Sequence, residues 1–398
     1  MKKRAEVVII GGGVIGCAIA YNLAKDGVNV VVLEKRHLAS GASGRCGGMI
    51  WAKWYPIETS EVMARVGNMT LNRFANLEEE LETSIEYNIE NTIACIKAGE
   101  EKECEPEIRE LERYFDTRLE FLEPQEIKKR APYIGVDNYE SFGGYLHAGT
   151  ILRASANPFL TVYALANTAR RLGTTIYTDT EVTGIIVENE KVKGVQTSKG
   201  DIQTNIVVDA AGAWSADVAR MAAGLKIPTR PHGEEAIVTE PLKPLQYFPG
   251  ISEAWGRQTK SGQILLGEET FPAQASSYSI ETTLDFLPRI SEHLMQMFPS
   301  FGNINIVRQW AGTQDITPDE LPILGEVDEV DGLILACGFT GGFCLSQAVG
   351  EIITDIILEK DKNPDIAEAL SLNRFEKKYR EFPGRWYYMG VHKKIKAF

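Results

Sequence analysis

The feature that most restricts this chain is a glycine triplet set between two apolar runs. Val7–Ile10 is uninterrupted and apolar and ends in glycine, the pattern of a strand buried on both faces. Val14–Lys25 carries helix formers and ends near Gly27, a residue suited to a helix C-cap. Val28–Glu34 is a second apolar run, so the three segments make a βαβ unit. Gly11-x-Gly13-x-x-Gly16 sits at the first strand–helix junction. Gly11 permits the tight turn, Gly13 lets backbone approach a pyrophosphate, and Gly16 lets helix pack close to strand. Val14 and Ile15 open the helix, whose unpaired N–H groups and positive dipole end face the phosphates. Glu34 closes the second strand, where a carboxylate accepts from ribose hydroxyls and repels a 2′-phosphate. The residues therefore point to a dinucleotide, NAD or FAD, and disfavour NADP.

At 398 residues the chain is too long for one small domain and fits two intertwined lobes. A net charge of −13 argues against nucleic acid and against anionic lipid as partners. Met1-Lys2-Lys3-Arg4 ahead of Val7 resembles a secretory leader, but Glu6 and Gly11-Gly12-Gly13 interrupt it. No apolar stretch reaches membrane-spanning length, and a cytoplasmic location is expected. The six cysteines form no Cys-x-x-Cys pair and no two histidines have metal-ligand spacing. Free thiols and no metal are expected.

Further along, Ser60–Glu86 reads as helix, Arg109–Tyr133 as charged and mixed, Gly143–Leu152 as strand and turn, and Pro158–Leu172 as helix. Thr175–Asp179, Val182–Val187, Val192–Thr197 and Ile206–Ala210 read as strands with glycine punctuation. A segment from about Gly233 to Trp310 is rich in β-branched and aromatic residues, which suits a second, sheet-containing lobe. Leu333–Ala336 reads as a last buried strand and Ala348–Leu358 as helix. Nucleotide-binding segments recur at 7–34, 175–212 and 333–358, so the lobes interleave.

Beyond the triplet stand Ser40-Gly41-Ala42-Ser43-Gly44-Arg45-Cys46-Gly47-Gly48, Val207–Ser215 with its Ala210-Ala211-Gly212, Trp310-Ala311-Gly312 running to Pro322–Gly325, and Gly338–Gly342. In these, in this order, the chain resembles the D-amino-acid-oxidase-like FAD enzymes, a group containing glycine oxidase, sarcosine oxidase and dye-linked proline dehydrogenase. Thr313–Asp319 is similar to the β-subunits of heteromeric sarcosine oxidase, proline dehydrogenase and hydrogen cyanide synthase. The resemblance implies an α/β fold: a Rossmann-like FAD domain of glutathione-reductase type, interleaved with an α+β substrate domain built on a mainly antiparallel sheet. The expected division is 1–90, 145–230 and 305–365 for FAD, 91–144 and 231–304 for substrate, and a tail at 366–398. It implies non-covalent FAD held by Gly11, Gly13, Val14, Ile15, Gly16, Glu34 and Lys35, by Ala42, Ser43, Arg45, Cys46, Gly47, Gly48 and Met49, by Val182, by Ala211, Gly212 and Trp214, and by Gly338, Gly341, Gly342 and Phe343. The last group would stabilise negative charge on the reduced flavin. The implied reaction is oxidation of a small amine or amino acid (glycine, sarcosine, proline or hydroxyproline-like) to an imine, by hydride transfer to flavin N5. Electrons would pass to partner subunits carrying FMN, at a subunit interface, or an iron–sulfur cluster.

The departures from the family pattern matter as much. Where relatives place arginine or lysine against a substrate carboxylate, this chain has Gln314, Trp51 and Cys344. Either Lys53, Arg257 or Arg308 holds the carboxylate, or the substrate lacks one. Trp51 and Trp54 form an apolar wall or simple core, and His147 and His232 adjust amine protonation or are structural. Leu265 stands where an oxygen-activating lysine occurs in monomeric sarcosine oxidase, which favours a dehydrogenase. The alternatives are a self-sufficient oxidase making hydrogen peroxide and a non-catalytic relay subunit. The basic, aromatic tail from Arg374 to Phe398 docks a partner or lies loose on the surface.

Overall fold

A computed structural model describes the chain except residues 52–59, 138–140, 150–151, 252–253, 272–280, 361 and 377–398. Its centre is a six-stranded sheet in the order Ile323–Glu326, Leu333–Cys337, Ile206–Asp209, Val7–Ile10, Val30–Leu33, Thr175–Tyr177. All neighbours run parallel except the Ile323–Glu326 edge strand. Alternation divides the side chains between two faces. Val7, Ile9, Val30 and Val32 pack under the helices Val14–Lys25, Ser60–Leu81, Pro158–Arg171 and Gly342–Ile357. Val8, Ile10, Val31 and Leu33 face a small antiparallel sheet built from Val182–Glu188, Lys191–Thr197 and Ile202–Gln203. Burial of these aliphatic side chains, about 1.5–3 kcal/mol each, holds the two layers to the sheet.

The second lobe is mainly antiparallel, as the resemblance implies, with Phe248–Gly250 running parallel to Thr92–Lys97. Its main sheet runs Trp255–Gln258, Gln263–Phe271, Arg230–Pro241, Ile306–Ile316. A second four-stranded sheet holds Phe248–Gly250, Thr92–Lys97, Ser141–Leu146 and Glu120–Leu122. Between them Ile237, Ile264, Leu266, Phe286 and Phe298 form a separate core. Met49–Trp51, Arg153–Ser155 and Asn88–Ile89 make a small sheet of their own.

Several sequence expectations are corrected. Strand Ile306–Ile316, assigned with the FAD segments from residue 305, is hydrogen-bonded along Arg230–Pro241 in the second lobe. The last long helix starts at Gly342, six residues before Ala348, and so rises straight out of the glycine loop. The helix from Ser60 stops at Leu81, where Glu82 takes a positive φ. Glu101–Tyr114 is an unexpected helix that buries Cys104, Ile108 and Leu111 on one face. Its Pro106 and its acidic residues hide that period in the sequence.

Candidate functional site

The glycine loops, the Trp214 turn and the inner face of the antiparallel sheet enclose one cleft with about 1410 Å³ of empty volume. Two helix N-termini open into it. Val14–Lys25 starts at Gly13 and Gly342–Ile357 at Gly341; neither N-cap side chain caps its helix and neither first turn carries an acid. Both ends therefore attract negative charge.

The loop ends are fixed by close backbone approach. Gly11 has φ +116°, and a Cβ there would lie 2.3 Å from the Ala210 oxygen. A Cβ at Gly16 would lie 2.0 Å from the Gly11 oxygen. Glu34 is buried and accepts from the N–H groups of Gly12 and Arg36, both at 2.8 Å, and from the Ser40 hydroxyl at 3.2 Å. Its carboxylate thus forms part of the cleft wall in one fixed orientation.

The second loop is tied at both ends. Ser43 Oγ accepts from Val14 N–H at 2.9 Å, and Arg45 donates to the Gly41 oxygen at 3.0 Å and to the Ser40 oxygen. Trp310 Nε1 donates to the Arg45 oxygen at 2.9 Å. The Trp255 ring lies over Gly47 and Gly267, where a Cβ would come within 2.7 and 2.2 Å of it. Burial pushes the Cys46 thiol up to about 12, so it is a packed, neutral group.

The cleft brings together Gly11, Gly13, Val14, Ile15, Glu34, Ala42, Ser43, Arg45, Cys46, Gly47, Gly48, Met49, Ala211, Gly212, Trp214, Gly341, Gly342 and Phe343. Gly16 acts behind it, in helix–strand packing. Gly338 sits beneath it, with φ +75° and its N–H on Asp315. Lys35 and Val182 stand apart: Lys35 pairs with Glu181 at 2.7 Å on the surface, and Val182 is buried in the core of the small antiparallel sheet.

Of the three expected carboxylate anchors, the two described ones, Arg257 and Arg308, do not line the cleft. Lys53, like Trp54, lies outside the described residues. Arg257 is buried, donates from Nε to the Gly47 oxygen at 2.6 Å, and has its pKa lowered by burial against the opposing pull of Glu90. It holds the loop from behind. Arg308 is exposed on the outer part of its strand, since it pairs with Val238 four residues beyond Gly312. Trp51 does line the cleft, with the Arg153 guanidinium 5.8 Å over its ring. His147 and His232 are buried away from the wall; burial and then Arg153 push His147 down to about 4.

The structure adds Glu234, Glu235 and Trp255, which no sequence signal marked as lining the site, and within the quoted motifs it brings Thr313, Asp315, Phe339 and Thr340 to the wall. Among the described lining residues Arg45 is the only cation. Trp255 Nε1, Thr313 Oγ1 and Gln314 Oε1 are buried without a hydrogen-bond partner among the described residues.

A parallel sheet ending in glycine loops, two open helix N-termini and a ribose-type carboxylate define a dinucleotide-dependent enzyme. The family profile described as "DAO: FAD dependent oxidoreductase" matches residues 6–356, and the chain belongs to that family. It is 26% identical over 384 residues to sarcosine oxidase subunit beta of Rhodobacter capsulatus, covering 94% of this chain and 89% of that one. It is 24% identical to hydrogen cyanide synthase subunit HcnC of Pseudomonas aeruginosa, covering 93% and 96%. The crystal structure of L-proline dehydrogenase from P. horikoshii superposes with a TM-score of 0.84 at 30% identity, over 96% of this chain and 100% of that one. The cofactor is FAD, and the cleft fits it: the open helix ends suit its phosphates and flavin carbonyl, and Glu34 its ribose.

Proposed function

We propose that this protein oxidises the CH–NH group of a small amine or amino acid to an imine, as the catalytic subunit of a cytoplasmic dehydrogenase complex. Bound FAD supplies the two-electron acceptor. The chain's own residues then have to bind and orient the amine and exclude water. The carrying observation is the wall of the cleft facing the glycine loops, where the indole N–H of Trp255 and the oxygens of Thr313 and Gln314 lack partners. Leaving such groups unpaired costs about 1–3 kcal/mol each. Glu234 lines the same wall, while the next residue, Glu235, is buried and bound to Thr283, so the described part of the site favours an ammonium end over a carboxylate end.

Four further observations support the reading. Two of the relatives named above act, by their names, on sarcosine and L-proline, and two are named as subunits. Leu265 is buried beside Gly47, so an apolar group stands where an oxidase would place a cation. A flavin subunit without its own oxygen chemistry needs a partner, for which FMN at a subunit interface is our assignment. The free cysteines suit a reducing compartment.

The test is anaerobic. Flavin absorbance of the purified chain is followed while glycine, sarcosine, proline, hydroxyproline and secondary amines without a carboxylate are added. Bleaching by one of them establishes amine oxidation, and slow reoxidation in air establishes a dehydrogenase. Fast reoxidation with hydrogen peroxide would instead make it an oxidase. A flavin that no amine bleaches overturns the catalytic reading.

A further inference from the structure

We propose that Asp209 and Asp315 are positioning residues of the FAD site, two buried carboxyls that hold the starts of two cofactor loops from opposite lobes. Asp209 ends the central strand Ile206–Asp209, and Asp315 lies near the end of Ile306–Ile316 in the antiparallel sheet. They are 0% and 4% exposed. Asp209 Oδ1 accepts from the Ala211 N–H at 3.1 Å and the Ser215 hydroxyl at 3.0 Å, which fixes the turn into Gly212–Trp214. Asp315 Oδ2 accepts from the Gly338 N–H at 2.8 Å, which fixes the turn into the C-terminal glycine loop. Each carboxyl thus grips the first backbone N–H of a loop that lines the cleft.

Neither carboxyl makes an ion pair among the described residues. Arg374, which acts on the neighbouring Cys337, binds Asp319 at 2.8 Å. The other groups around the pair are the Cys337 thiol, the Ser215 hydroxyl and the Thr229 hydroxyl. Across the sheet Asp315 faces Pro231, and its neighbours Arg230 and His232 alternate to the other face. An unpaired buried carboxylate costs several kcal/mol, and two that repel each other cost more, so the pair keeps a proton. Burial pushes Asp209 up to about 7; burial and the charge of Asp209 push Asp315 well above its usual value. A protonated carboxyl keeps an acceptor for the loop N–H and adds an O–H donor. Losing the proton puts extra negative charge beneath loops that line the cofactor cleft.

This rests on the FAD site and not on the amine reading. Apoprotein is titrated with FAD, and Kd is read by flavin fluorescence from about pH 6 to about pH 9. Wild-type Kd is expected to weaken about tenfold across that window as that proton is lost. Asp315→Asn and Asp209→Asn imitate the neutral acid and are expected to hold Kd within about twofold throughout. Asp315→Ala, which frees Gly338, weakens binding at every pH. A pH-independent wild type, or variants whose slopes run parallel to it, overturns the proposal. If neither Asn variant folds by circular dichroism, the wild-type profile decides alone.

Discussion

The two walls of the cleft are built on different principles. The glycine-loop wall works with backbone: helix N–H groups, tight turns and close approaches in which almost any side chain is a steric intrusion. The antiparallel wall works with side chains: Trp255 laid over two glycines, Trp310 holding the Arg45 carbonyl, and the unpartnered polar atoms of Trp255, Thr313 and Gln314. A backbone-built site tolerates few sequences and serves every member of a family alike. A side-chain-built site is where members diverge, and among the described residues this wall carries none of the cations that the family pattern implies.

The sharpest way to break the first wall is Gly16→Ala. Its Cβ would overlap the Gly11 oxygen at 2.0 Å and crowd Ile9 at 3.3 Å, both in the body of the sheet–helix junction. Overpacking there is expected to cost about 3 kcal/mol. Urea denaturation should show the loss, and the purified variant should carry little FAD. Retention of full flavin content would mean that the junction is looser than its geometry.

Next in size is the pH dependence of stability. Asp209 has a usual carboxylate pKa of 3.8 when unfolded and about 7 when folded. Between these values the native state binds more protons than the unfolded state, so stability falls as pH rises through the window and levels above it. Asp209→Asn removes the Asp209 share of that slope and leaves the share of Asp315. The variant should match wild type near pH 4 and exceed it by a few kcal/mol at pH 8, in denaturant titrations at each pH. Equal differences at both pH values would place the proton elsewhere.

These two walls were unequally legible in the sequence. Gly11, Glu34, Gly47, Gly212 and Gly341 could be assigned because strand-end glycines followed by a helix have few other uses. Trp255 could not: nothing in Ala254-Trp255-Gly256 says that its ring will cover Gly47, a contact made only when two lobes meet. The start of the last helix was misplaced for a similar reason. Gly342, Phe343 and Cys344 are poor helix formers, and tertiary packing of Phe343 on Phe74, with ring centroids 5.6 Å apart, overrides that propensity. Arg257 and Arg308 were candidates because they are cations near the right motif. Burial against Gly47 and exposure on an outer strand segment, respectively, decide otherwise.

The second wall is tested more gently by Trp255→Phe, which keeps an aromatic ring over Gly47 and Gly267 but removes the unpartnered N–H. Once a substrate is known, its KM is expected to rise about tenfold, equivalent to about 1.4 kcal/mol, with kcat and flavin content little changed. A fall in flavin content at constant KM would make Trp255 a packing residue only.

The smallest effect is expected at Lys35, and it decides where the first wall ends. Its place directly after Glu34 suggests contact with the dinucleotide, whereas the structure pairs its ammonium with Glu181 at 2.7 Å, with side chains 44% and 49% exposed. An ion pair so open to solvent contributes no more than about 0.5 kcal/mol. Lys35→Met should therefore leave both the denaturation midpoint and the FAD Kd within about twofold of wild type. A loss of FAD affinity of tenfold or more, at unchanged stability, would mean that Lys35 leaves Glu181 for the cofactor. The backbone-built wall would then carry one side chain that matters, and the contrast between the walls would be one of degree.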